Sequence, residues 1–205
     1  MNRNLLLLGS VLILFGGAAE ALAAKYEIKD LQIRPADQYA SHQDFQNLTI
    51  GALACNALEE TLSLFDAEKL FEKQIMPVLV VIENRNAFPV QIYEEEIYLV
   101  DPEGARHPPI PWVDVLLEIN LKKPLSHTAT QKNLLLQRVA KKEMILDFEH
   151  KSFGNKVIAP ADSDHGVVFY RLPEGGDLDG YQLFFPRILN FTEGGMLMFF
   201  EFDLQ

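Results

Sequence analysis

A few clusters in this chain hold residue types able to do chemistry. Asp162-Ser163-Asp164-His165 sets two carboxylates and an imidazole within four residues, material for a metal ion or a hydrolytic site. The simpler reading is a polar turn leading into a strand. Asp177-Leu178-Asp179-Gly180 looks like the middle of a calcium loop. With Gly180 at the sixth loop position, the first and twelfth fall on Gly175 and Pro186, neither of which can ligate the ion. A solvated hairpin loop is expected instead. Glu94-Glu95-Glu96 offers carboxylates for acid–base work. On a strand only Glu94 and Glu96 share a face, and a charged edge that discourages strand pairing accounts for them. Nucleophilic catalysis finds no G-x-S-x-G elbow. His42, His107, His127, His150 and His165 sit in no triad signature. An enzyme would have to assemble its site from scattered residues, with His107, His165 and the Asp162/Asp164 pair as material. The single Cys55 excludes a zinc–thiolate site and an internal disulfide, and reads as a small buried apolar residue, with a reactive or intermolecular thiol as the alternative. No cofactor motif is found, and none is expected.

The charge distribution adds a candidate contact surface. Between Leu121 and Lys142 stand Lys122, Lys123, Lys132, Arg138, Lys141 and Lys142, with no acidic residue among them, in a chain of formal net charge −11. Either these side chains cover a solvated helical face, or they meet an acidic partner, a membrane headgroup or the protein's own acidic sheet. The negative total argues against nucleic acid as a partner, because long-range attraction needs the opposite sign.

The elements that must position these residues follow from periodicity. Tyr26–Ile28 and Leu31–Ile33 alternate as a half-buried strand does, with a slip near Asp30. Residues 34–46 read as loop or one weak helical turn, and Leu48–Ala54 as a strand. Leu58, Leu62 and Phe65 fall at helical spacing, in a helical stretch that Pro77 ends. Val78–Ile82 is a continuous apolar run rich in β-branched residues, which predicts a strand buried on both faces. Gln91–Val100 is expected as one further strand. Asp101-Pro102-Glu103-Gly104 carries the residues of a type I turn and predicts a hairpin returning through Ala105–His107.

Strand alternation fades from Pro108 to Lys156. Pro111 suits a helix start, and Trp112, Val113, Leu116 and Leu117 share one helical face, a core pattern. Thr130 is expected to cap a second helix, and Met144–Phe148 to form a third segment. Strands return at Val167–Leu172, at Tyr181–Phe185, which Pro186 is expected to close, and at Met196–Leu204. Several short strands joined by turn signals predict a two-sheet sandwich with a helical insertion over residues 108–156.

The N-terminus points to a compartment. Arg3 precedes the apolar run Leu5–Ala19, and Ala21-Leu22-Ala23 supplies small residues before Ala24, the three parts of a secretory leader. The run is shorter than the roughly 20 residues a spanning helix needs. We expect residues 1–23 to be a signal peptide, cleaved between Ala23 and Ala24, and residues 24–205 to form one periplasmic or secreted domain. A retained leader would instead be a marginal anchor. Asn47-Leu48-Thr49 and Asn190-Phe191-Thr192 match the glycosylation sequon, which matters only in a eukaryotic source.

Leu79–Asn84, Pro89–Ile92, Ile97–Gly104 and Gly166–Pro173 carry a resemblance. There a strand ending in Asn is followed by a Pro-Val strand, then by a strand closing in an acidic turn before Gly. The pattern resembles bacterial secreted or lipoprotein-type immunoglobulin-like envelope proteins, over about a third of the expected mature chain. It implies an immunoglobulin-like β-sandwich in the cell envelope and carries no catalytic or ligand-binding residues. Two departures stand out: no lipid-attachment Cys follows the leader, and the insertion is long. The expectation is a non-enzymatic binding or structural module meeting a protein or surface partner. The alternatives are the scattered-residue enzyme and a carrier of a lipid or small apolar ligand, the latter motivated by 14 Phe residues.

Overall fold

The computed structural model describes residues 25–121 and 128–204. The expected leader, Lys122 and Lys123 lie outside them. The protein is mainly β, with two antiparallel sheets and a layer of helices. The first sheet orders β1 (Ser41–Phe45), β2 (Leu48–Ala54), β3 (Ile75–Asn84) and β8 (Asp162–Arg171) as β1-β2-β3-β8. The second holds β4 (Val90–Ile92), β5 (Tyr98–Val100), β6 (Arg106–His107), β7 (Lys156–Ile158), β9 (Gln182–Asn190) and β10 (Met196–Asp203). β9 is its centre, pairing β4 and β5 along one side and β10 along the other.

β3 explains why its sequence is apolar without alternation. Met76, Val78, Val80 and Ile82 point into the core between the sheets. Ile75, Leu79 and Val81 point the other way, into a second core under the helices. Those helices are α1 (Leu58–Leu64), α2 (Lys69–Glu72), α3 (Trp112–Asn120), α4 (Ala129–Val139) and α5 (Lys142–Lys151). Phe65, Phe148 and Phe169 meet at the centre of the second core, with the Phe65 and Phe148 rings 4.2 Å apart. The predicted insertion is therefore a third layer that covers the outer face of the first sheet. Burying both faces of β3 is what a run of β-branched residues is suited to.

Several expectations are corrected. Tyr26–Ile33 forms no strand: it runs without ladder partners, and Tyr26 is buried against the helices. Residues 34–46 hold the one short helical turn, a 3-10 turn at Ala36–Gln38, but also the unexpected strand β1. Gln91–Val100 is interrupted by a 3-10 turn at Glu94–Glu96, so β4 and β5 share one side of β9 with a two-residue shift in register between them. Pro186 does not close its strand. It lies opposite the irregular part of β10 and between the stretches paired to β4 and β5, where no ladder donor is required. Pro77 is tolerated in the central β3 for a related reason. β2 ends at Ala54, and only the Pro77 carbonyl is used there, accepting the Cys55 N–H at 2.9 Å.

Two features of the cores can be checked directly. Cys55 is buried, and burial pushes its thiol up to about 12. Thr49 is fully enclosed, and its Oγ1 finds no hydrogen-bond partner among the described residues. Thr49→Val keeps the shape and removes the stranded hydroxyl. It should raise the unfolding free energy by about 1 kcal/mol, read from urea melts. A loss of stability would reveal a partner for the hydroxyl.

Candidate functional site

On one side of the two sheets the edge strands β1 and β10 come together. β1 pairs only β2, and β10 only β9, among the described residues. The Gln43 side-chain carbonyl accepts the Glu201 N–H at 3.0 Å and bridges the two edges. Beside that bridge lies a groove of about 370 Å³ lined by Gln43, Phe45, Met196, Leu197, Met198 and Phe199. Phe45, Met196 and Phe199 are 48%, 64% and 58% exposed, against the usual placement of such side chains. Acidic residues stand along these strands: Asp44 on β1, which lies within reach of Arg85, Glu201 and Asp203 on β10, and Glu193 in the turn before it.

The sequence carried a signal for this groove. Met196-Leu197-Met198-Phe199-Phe200 is five apolar residues in a row, so both faces of β10 are apolar. Met198, Phe200 and Phe202 enter the core between the sheets, which leaves Met196 and Phe199 outside. A ring contact from Phe184 at 6.3 Å is partial cover for Phe199.

A second groove, of about 270 Å³, is lined by Glu94, Glu95, Pro109, Pro111 and Trp112. The three glutamates serve three different ends. Glu96 pairs with Arg187. Glu95 is exposed. Glu94 accepts the Gly154 N–H at 2.7 Å, while its own N–H donates to the Asn155 side-chain oxygen at 3.1 Å. Burial raises the Glu94 carboxyl above the usual carboxylate range, and the Gly154 bond offsets part of that rise. The charged-edge reading of this triplet assumed a strand, which the 3-10 turn replaces. Trp112 is half-buried at the start of α3, packing partly on the second core and partly facing this groove.

The residues singled out from sequence are dispersed. Lys132 pairs with Asp114 of α3 at 2.6 Å, so the chain's own acid takes that charge. Arg138 and Lys142 are exposed, and Lys141 precedes α5. His107 and His165 lie on strands of different sheets. His107 pairs with Asp101 at 2.8 Å and, helped by the Ala105 and Glu103 N–H groups of the turn, holds that carboxylate below its usual range. Asp164 takes Lys156 at 2.9 Å, and Asp162 lines a shallow polar groove with Glu83, Asn84 and Arg85. No group of three or more His, Cys, Asp or Glu among the described residues is placed to hold a metal ion. In the Asp177–Gly180 loop the Asp177 carboxylate accepts the Asp179 N–H, as a turn does. Asn190 is buried, its side-chain oxygen accepting the N–H groups of Thr192 and Glu193.

Sequence reasoning missed a buried polar cluster. The Asp147 carboxylate accepts the Tyr26 hydroxyl at 2.5 Å and pairs with Lys151 at 2.7 Å. Lys151 also donates to the Leu64 carbonyl at 2.7 Å and lies 5.0 Å from the Phe65 ring centre. Burial, then Asp147, push the Tyr26 hydroxyl far above its ordinary value. Only the i,i+4 spacing of Asp147 and Lys151 was legible beforehand, and it says nothing of burial.

No protein-family model matches this chain, and no curated protein does. Among solved structures it is similar to that of the yjhA protein from Bacillus subtilis, at TM-score 0.42 and 10% sequence identity, over 82% of this chain and 98% of that chain.

Proposed function

We propose that the protein is an exported, non-catalytic binding module of the cell envelope that takes an extended, apolar, basic-flanked peptide segment along the open edge of β10. The observation that carries this is the gathering of Phe45, Met196 and Phe199 around β10, an edge strand that pairs only β9 among the described residues and gives one edge N–H, that of Glu201, to the Gln43 side chain. An unpaired edge offers backbone donors and acceptors to an added strand, and the apolar groove offers a place for its alternate side chains. The acidic neighbours Asp44, Glu193, Glu201 and Asp203 favour a basic partner and discourage pairing with a second copy of this acidic chain.

An immunoglobulin-like build belongs to the same reading. The chain passes from β3 to β4 and β5 in the other sheet, returns at β8 beside β3, and crosses again to β9 and β10. The orders β2-β3-β8 and β4/β5-β9-β10 correspond to those of an immunoglobulin sandwich. Export rests on the leader-like N-terminus.

The test uses a synthetic decapeptide alternating Val and Lys, labelled for fluorescence anisotropy. It should bind saturably, and a version with Pro at alternate positions should not, because proline removes the ladder donors. Phe199→Ser should weaken binding at least tenfold. Equal binding of both peptides, or an undiminished Phe199→Ser variant, overturns the proposal. So does self-association that Phe199→Ser abolishes, which would make a second copy the occupant.

A further inference from the structure

We infer that the groove between the Glu94 turn and the start of α3 is a binding site for an organic cation of the quaternary ammonium class, seated against Trp112 and held by Glu94 and Glu95. This site is separate from the β10 edge and does not depend on it.

The chemistry of the lining selects the ligand. Pro109 and Pro111 have no backbone N–H, and carboxylates only accept. The indole N–H is the one donor that a lining side chain can offer. An anion would find two negative charges against the indole N–H and the backbone N–H groups that begin α3. A strongly hydrated metal ion would exchange its water shell for walls that are half apolar. A cation whose charge is wrapped in methyl groups loses little water, packs on proline rings, and is attracted by both the indole face and the carboxylates.

The electrostatics of the groove are unbalanced in the same direction. Glu94 has no ion-pair partner among the described residues, unlike Glu96 with Arg187. The nearby Lys156 is committed to Asp164 and lies 5.5 Å from the Phe153 ring centre, and Arg187, whose charge also reaches Glu95, is paired with Glu96. A bound cation would supply the charge that Glu94 lacks. The parts are also held in place before any ligand arrives. Glu94 is anchored at its carboxylate by Gly154 and at its backbone by Asn155. Trp112 stands on the first turn of α3, directly after Pro111.

A quaternary ammonium group reaches an exported protein as a free solute or as a phosphatidylcholine headgroup, and the experiment separates the two. Trp112 is the only tryptophan of the chain, so tryptophan emission reports on this one position. Choline chloride should change that emission saturably, while sodium chloride at equal ionic strength should not. Phosphatidylcholine vesicles form the second arm. A response to choline assigns the free ligand, and a response to vesicles alone assigns the headgroup. Glu94→Gln combined with Glu95→Gln should weaken the response at least tenfold. Glu95→Gln alone, an exposed position, keeps the test available by calorimetry if the double variant unfolds, with a several-fold loss expected. Absence of any response, or the same response to sodium, overturns the inference. An unchanged affinity in the glutamine variants overturns it as well.

Discussion

Lys151→Ala should cost about 3–5 kcal/mol of folding free energy, the usual consequence of leaving one charge of a buried pair behind. Asp147 is 2% exposed, and its carboxylate would keep only the Tyr26 hydroxyl. The Leu64 carbonyl, which ends α1, would lose its donor too. Typical domain stability is about 5–15 kcal/mol, so the variant stands near the edge of folding at 37 °C. The loss should be recovered when the whole cluster becomes apolar, as in Tyr26→Phe, Asp147→Leu, Lys151→Met, because an ion pair taken out of water returns little net energy. Urea unfolding of the chain from Ala24 reads both variants. A Lys151→Ala cost below about 1 kcal/mol would mean that water reaches Asp147. The cluster joins the segment before β1, the end of α1 and α5, so its loss should also free residues 25–35 to proteolysis.

Gly166→Ala should be of similar size, about 3 kcal/mol or more. A methyl group there would lie 2.4 Å from the Phe153 Cα and 2.9 Å from its backbone nitrogen. Backbone cannot swing aside as a side chain does. The Phe153 N–H donates to the Val167 carbonyl at 2.9 Å, and the Phe153 ring is buried between the sheets. Moving that segment carries Gly154 with it, whose N–H holds Glu94. The variant should therefore lower the urea midpoint and shift Trp112 emission together. A midpoint shift with unchanged emission would show that the Glu94 turn is fixed without Gly154. Gly51 meets a comparable wall: an added methyl would lie 2.2 Å from the Ala36 carbonyl oxygen. Neither glycine sits in a turn or at positive φ. Their absent side chains are needed for close approach, which no turn signal reveals.

Strands with local signals were legible. Leu48–Ala54 and the Asp101 hairpin stand where periodicity and turn chemistry put them. The reading failed where a local pattern was satisfied by something distant. Tyr26–Ile33 alternates like a strand, yet Tyr26 uses its polarity to reach Asp147, 121 residues away. Glu94–Glu96 sits in a stretch of strand-like alternation, but β4 and β5 need two more residues than a straight ladder along β9 holds, and the excess coils into a turn. That turn aims Glu94 at Gly154 and into the Trp112 groove, and no spacing rule announces it.

By itself the sequence determined the segments with strong local signals, such as Leu48–Ala54, β3 and the helix after Pro111, that β3 must be covered on both faces, and the leader-like start. These are consequences of side-chain period and backbone preference, which act over a few residues. The tertiary structure decided what covers each face. It laid α3 and α5 over the first sheet, left Phe45, Met196 and Phe199 uncovered between β1 and β10, and buried Asp147 with Lys151. Burial and exposure depend on partners far apart in the chain. The candidate sites are made of such exposure, so they became visible only once the layers were stacked.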